Sequence, residues 1–284
     1  MLIAFGMAWV NWEIVFRLGI SFDNPLFKIA ACPAVFAPAI AAFVVRKWVS
    51  HEGFADAGLR LNLRKWPYYI VAWLFPLVVV GCIVVLTPLV GLGKADFSLA
   101  RGLQYLHPGG VPTNVSATLW LRIDALPFIA ILGAPILFGE EFGWRGYLQP
   151  RLFSERPLLG AVSTGLIWAA WHFPLNLRGY NFPDHPFIGG LVLFPIGAIF
   201  LSIIFGWLFL KTGSIWSSAL AHSATNSLGP LILLLFGGVP SLVFISYVGI
   251  LGLIPLGALS AWIILTGQLS PETKKTNIAT AAVR

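Results

Sequence analysis

Three short runs place ionisable side chains inside otherwise apolar sequence. The first is Glu140-Glu141-Phe142-Gly143-Trp144-Arg145, the second Trp168-Ala169-Ala170-Trp171-His172-Phe173-Pro174, and the third His222-Ser223-Ala224-Thr225-Asn226. A carboxylate can take a proton from water, an imidazole can share or relay it, and N–H donors can support a carbonyl oxygen as it becomes negative. Those are the parts of peptide-bond hydrolysis. On this reading Glu140 and His172 activate water, and His222 and Asn226 supply oxyanion donors. Successive helical residues point about 100° apart, so Glu140 and Glu141 face different neighbours. Glu141 and Arg145 stand at i,i+4 with the acid first, the favourable order for an ion pair. They are therefore expected to neutralise each other and hold the helix in register. Trp168 shares a helical face with His172, as His222 does with Asn226.

The elements that carry these residues follow from composition. Of 284 residues, 58% are hydrophobic and 10% charged, against roughly 25% charged in a soluble domain. An all-α, polytopic membrane protein is expected, with about eight spans surrounding an intramembrane cavity. Runs of about 20 apolar residues occur at approximately Leu2–Ile20, Leu26–Val45, Pro67–Val90, Trp120–Gly139, Leu158–Phe173, Pro186–Leu210, Ile215–Phe236 and Leu242–Thr266. An ionisable residue at bilayer depth costs ~2.5–3.5 kcal/mol, so the three charges of the first run would cost on the order of 8–10 kcal/mol if unpaired. Pairing or function must retain them.

The net charge of +7 does not point to nucleic acid, because the bases lie mostly between apolar runs, where a membrane surface explains them better. Assigning alternate loops to one side collects about two thirds of the Lys and Arg there, which predicts both termini in the cytoplasm of a multi-pass protein of the cell membrane. The whole chain, 1–284, reads as one integral membrane domain with a polar cytoplasmic tail at 267–284. Cys32 and Cys82 sit inside apolar runs and offer neither a disulfide framework nor a cysteine-based zinc site. Ser50–Lys65 mixes leucines with bases, as suits a headgroup-layer segment or a solvated basic loop alike. Gly91–Leu119 is too rich in glycine and proline for a continuous helix.

Counting residues sets the depth of the candidates. With a turn near Arg156-Pro157, Glu140 and His172 lie sixteen residues to either side, each roughly 24 Å from the turn at ~1.5 Å per residue. They should meet at one level. His222 is eleven residues beyond Lys211, or about 16 Å, close enough to join them. Pro174 frees a carbonyl and should end or kink the helix just past His172, and Ser214 suits an N-cap.

The three runs resemble the motifs of the CAAX protease and bacteriocin-processing (CPBP) family, membrane-embedded endopeptidases that include the type II CAAX prenyl endopeptidase. The family pattern is Glu-Glu-x-x-x-Arg, then Phe-x-x-x-His, then His-x-x-x-Asn. Trp168 stands where the family usually has Phe. The resemblance covers a protease core at about 127–230. It implies an eight-helix core and a cytoplasm-facing endopeptidase site, in which the first Glu and first His activate water and the His–Asn pair supports the oxyanion.

The residues leave other readings open. No cofactor is expected on the water-activation route, but Glu140, His172 and His222 would also make a His₂Glu zinc set with one water. The soluble zinc-protease signature His-Glu-x-x-His is absent. Buried Glu, Arg and His suit a transporter equally, although no repeat is visible, and the family's bacteriocin association brings in a non-catalytic immunity protein. The expected partners are a peptide or protein substrate, with or without a lipid modification, and membrane lipids; no nucleic acid is expected.

Overall fold

In hydrocarbon every backbone polar group must find its partner within the protein, which leaves helices as the form open to these apolar runs. A computed structural model describes residues 1–107, 109–110 and 113–269, with 113–124 described by backbone alone. Its regular structure is entirely helical: α1 (Leu2–Arg17), α2 (Phe27–Val35), α3 (Ala37–Val44), α4 (Trp66–Leu89), α5 (Ala100–Leu106), α6 (Thr113–Gly143), α7 (Gln149–Arg151), α8 (Pro157–Trp171), α9 (Phe173–Asn176), α10 (Pro186–Ile188), α11 (Phe194–Thr212), α12 (Ile215–Leu228), α13 (Leu231–Phe236), α14 (Leu242–Ile245) and α15 (Ile250–Leu265).

Among the described residues, six helical segments are long and apolar enough to cross a membrane: Phe27–Val49, Leu63–Leu89, Ala125–Arg151, Pro186–Thr212, Ile215–Phe236 and Leu242–Leu265. The two other predicted spans are helical but shorter. Helix α1 has 16 residues and α8 has 15, about 22–24 Å against a hydrocarbon core of ~30 Å. Helix α8 stops at Trp171 because Phe173-Pro174 opens a new turn with His172 as the shared cap, as the proline predicted. Ser214 accepts from the Trp216 backbone N–H and caps α12.

Two predicted boundaries differ. Helix α6 begins at Thr113, ahead of Trp120, because the polar Thr113–Thr118 stretch contains neither Gly nor Pro and helix formation does not require apolar side chains. Within the broken Gly91–Leu119 region, α5 docks beneath α13, where the Asp96 N–H donates to the Leu235 carbonyl at 2.7 Å. Of the expected tail, residues 270–284 lie outside the described residues.

Helix α12 lies between α4 and α6, and α11 packs against both α8 and α15. Small residues allow the close approach that membrane helices rely on. A Cβ at Gly165 would stand 2.7 Å from Ile199 Cα, and one at Gly133 would stand 2.5 Å from Ser223 Oγ. Ser202 donates across to the Ala161 carbonyl and Ser218 to the Phe205 carbonyl, both at 2.8 Å; such bonds contribute ~0.6 kcal/mol each.

The Gly139-x-x-x-Gly143 pair has an internal use. A Cβ at Gly139 would lie 2.7 Å from the Val35 carbonyl oxygen, and one at Gly143 would lie 2.6 Å from the Pro38 carbonyl. Both contacts are with backbone, at the break between α2 and α3. We expect Gly143→Val to lower stability by about 1–3 kcal/mol through overpacking while leaving the oligomeric state unchanged. Thermal unfolding in detergent combined with size analysis checks this; a change in subunit number without loss of stability would place the glycines at an intermolecular contact.

A π-helical turn, Trp144–Leu148, follows α6; such turns recur at functional sites. Here the segment after α3 is clamped to it. Arg46, fully buried, donates to both Asp56 carboxylate oxygens (2.7 and 3.1 Å), to the Gly53 carbonyl (2.5 Å) and to the Gly146 carbonyl (3.0 Å). Arg151 adds bonds to Glu52 and Asp56, and the Tyr147 ring lies against both guanidinium groups. The Arg46 hydrogen bond holds the Asp56 carboxyl down to about 2. Part of Ser50–Lys65 therefore turns inward onto the helix that bears Glu140, while Leu61 and Leu63 remain exposed.

Candidate active site

Helix α6, the end of α8, and α12 each carry one of the three motifs. Trp168 joins them. Its indole N–H donates to Glu140 Oε2 at 2.7 Å, and its ring centre lies 5.6 Å from the His172 ring and 5.1 Å from the His222 ring. Trp144, one turn beyond Glu140, adds a longer bond to the same oxygen at 3.4 Å. Glu140 is 4% exposed, so these donors replace water that the carboxylate has lost.

Glu141 points elsewhere, as the helical angle requires. Its Oε1 accepts from Arg145 Nη1 at 3.0 Å and lies 2.9 Å from His222 Nδ1. The expected Glu141–Arg145 pair is present, with both side chains fully buried. A lone ion pair seldom compensates for burial of a guanidinium. Here the Trp168 and Phe205 rings lie 5.1 and 5.2 Å from the Arg145 guanidinium carbon, and desolvated cation–π contacts contribute ~2 kcal/mol.

The hydrogen bonds also fix where protons sit on the two imidazoles. His172 Nδ1 faces the Trp168 carbonyl at 2.9 Å, and His222 Nδ1 faces a carboxylate. Both partners only accept, so Nδ1 carries the proton in each ring. That leaves Nε2 of each ring for chemistry. Among the described residues, Glu140 Oε1, His172 Nε2 and His222 Nε2 have no hydrogen-bond partner, and none of the three is among the sealed, unpartnered atoms, which do include Glu141 Oε2 and Arg145 Nη2. Asn226 lies one turn beyond His222 on α12, exposed, without a hydrogen bond among the described residues. No group of three His, Cys, Asp or Glu side chains that could hold a metal ion occurs among the described residues.

Residues 122–228 match the family model described as Type II CAAX prenyl endopeptidase Rce1-like. This segment is similar to the Rce1-like family. The match spans all three motifs and agrees with the resemblance to the CPBP family. It supports a CAAX-type protease that sits in the membrane and acts on a protein or peptide. Compared with curated proteins, the chain matches none.

Two features of this site lie outside the three motifs. Trp144 stands at i+4 from Glu140, so its approach was legible in the spacing. The clasp by α1 was not. Trp9 Nε1 donates to the Trp171 carbonyl (2.9 Å), Trp171 Nε1 donates to the Ala4 carbonyl (3.2 Å), and Trp12 packs edge-on against Trp171 at 4.6 Å between ring centres. Glu13 pairs with Arg17, as its spacing allowed, and also with Arg178 at 2.8 Å. Apart from Glu13–Arg17, these contacts join positions more than 150 residues apart, and nothing local in either run encodes the pairing.

Proposed function

We propose that this protein is an intramembrane endopeptidase that hydrolyses a peptide bond with water activated by Glu140 and His172, without a metal ion. The observation that carries the reading is the grouping of the Glu140 carboxylate and the two imidazole rings around Trp168. Trp168 holds one carboxylate oxygen and leaves the other for water. Neutral His172, protonated at Nδ1, offers an Nε2 lone pair that can share the water's proton. His222 and Asn226 support the oxygen of the scissile carbonyl as it gains charge. The substrate is a peptide or protein, with or without a prenyl group, and both termini lie on the cytoplasmic side of the cell membrane. The distribution of bases along the loops supports that orientation.

Peptide hydrolysis by the reconstituted protein, measured before and after chelation and dialysis, tests the route. Activity should be unchanged. A loss that zinc restores would move the reaction to a His₂Glu metal mechanism on the same residues.

Trp168→Phe gives the ring the family usually carries and removes the 2.7 Å donor to Glu140. A hydrogen bond to a charged group is worth about 1.5–3 kcal/mol, so kcat should fall about 10–100-fold with KM nearly constant. Steady-state kinetics of the two proteins checks it; an unchanged kcat would show that Trp168 packs without positioning the carboxylate.

A further inference from the structure

Glu141 has no part in the chemistry proposed above, yet its Oε1 joins Arg145 Nη1 and His222 Nδ1 inside the protein. The side chains of Glu141 and Arg145 are fully buried and that of His222 is 4% exposed. Because a carboxylate only accepts, His222 keeps a proton on Nδ1 whether neutral or charged. The consequence lies at the other nitrogen. A neutral His222 would turn a bare lone pair toward the reacting carbonyl, which would repel a developing oxyanion. Only the imidazolium has an N–H there.

Charge balance points the same way. Glu140 and Glu141 bring two negative charges and Arg145 one positive charge, so a protonated His222 makes the cluster neutral, and an uncompensated charge at this depth is costly. Two uncharged rings pack on it, Trp168 at 5.1 Å and Phe205 at 5.6 Å between ring centres, and the titratable groups that face it are Glu141 and, across the site, His172. His172 differs, because its Nδ1 faces an uncharged carbonyl. We infer that Glu141 is a positioning residue: anchored by Arg145, it holds His222 as an imidazolium with Nε2–H turned to the site, and so makes the oxyanion donor. The inference rests on the donor role proposed for His222, and Glu141 itself touches no substrate.

The test uses the full-length protein in lipid nanodiscs, labelled with ¹⁵N at histidine and with His222 assigned from its loss in His222→Gln. At pH 7 both ring nitrogens of His222 should be protonated. In Glu141→Gln, whose amide carbonyl accepts the same bond without supplying charge, Nε2 should lose its proton and kcat should fall about 10²–10³-fold, the loss expected for one oxyanion donor, with KM held. In a His222→Gln background the Glu141→Gln change should add no further loss, whereas a purely structural role for Glu141 would add its own. A bare ring nitrogen on His222 in the unmodified protein, or additive losses in the double variant, would overturn the inference. Should Glu141→Gln fail to fold, the spectrum of the unmodified protein decides alone. Doubly protonated His222 in a protein that cleaves nothing would sink the proposed function, and with it the donor role, while cleavage with a neutral His222 would overturn this inference and leave the proposed function standing.

Discussion

Glutamine at position 140 is expected to stop hydrolysis while leaving the fold intact. The amide oxygen of Glu140→Gln can still accept the Trp168 indole N–H that the structure gives to Oε2, so the helix contact survives. What is lost is the ability to take a proton from water. Positioned general bases contribute about 10²–10⁴-fold, and kcat should drop by that factor. The protein should still express and fold, because the buried Glu141–Arg145 pair is untouched, with a modest loss of thermal stability for the negative charge removed from the cluster. A Glu140→Gln protein with undiminished biological activity would favour a transporter or an immunity protein, whose roles need no water activation.

The second large effect concerns stability. Arg145 is fully buried and bound to Glu141, with the rings of Trp168 and Phe205 beside it. Arg145→Met keeps much of the volume but removes one of the two cations on the buried Glu141 carboxylate and leaves the cluster of Glu140, Glu141 and His222 with a net negative charge. Breaking one side of a buried pair costs ~3–5 kcal/mol, whereas replacing both partners by apolar residues is often nearly neutral. Arg145→Met should therefore lower the unfolding midpoint sharply, and adding Glu141→Leu should recover much of the loss. The recovered protein should still turn over poorly, since His222 has lost the oxygen that faces its Nδ1. Unfolding midpoints and kcat for the single and double variants separate the two effects. A double variant as unstable as the single would mean that the packing of the guanidinium against the rings, and not its charge, holds this region.

The fold was legible where chemistry acts locally. Apolar runs mark the helices because a chain in lipid has few ways to satisfy its backbone, and the constant rise of a helix allowed Glu140 and His172 to be brought to one level by counting from Arg156. Proline at 174 and serine at 214 announced a helix end and a helix start, both of which the structure has. The extra residue of the π-turn at Trp144–Leu148 left no comparable trace, since its cause is tertiary: the Gly146 carbonyl meets Arg46, a hundred residues earlier. Glycines 139 and 143 were visible as a pair, but their partner, the break at Val35–Pro38, had to be seen.

At the site, spacing foretold the Glu141–Arg145 pair but not its third member. Nothing in the separation of Glu141 and His222 says that one carboxylate oxygen serves both Arg145 and the imidazole. Trp168 is the converse case. Read from sequence it is an aromatic substitute for phenylalanine, and in the fold it is the donor that orients the carboxylate.

On the proposed mechanism, water attacks a peptide bond inside the membrane. Its most direct test is to incubate the reconstituted protein in H₂¹⁸O with peptides that do or do not carry a C-terminal prenyl group, and to read the products by mass spectrometry. One internal cut is expected, and its new carboxyl terminus should carry ¹⁸O. Folded protein that leaves every peptide of both kinds whole would contradict it.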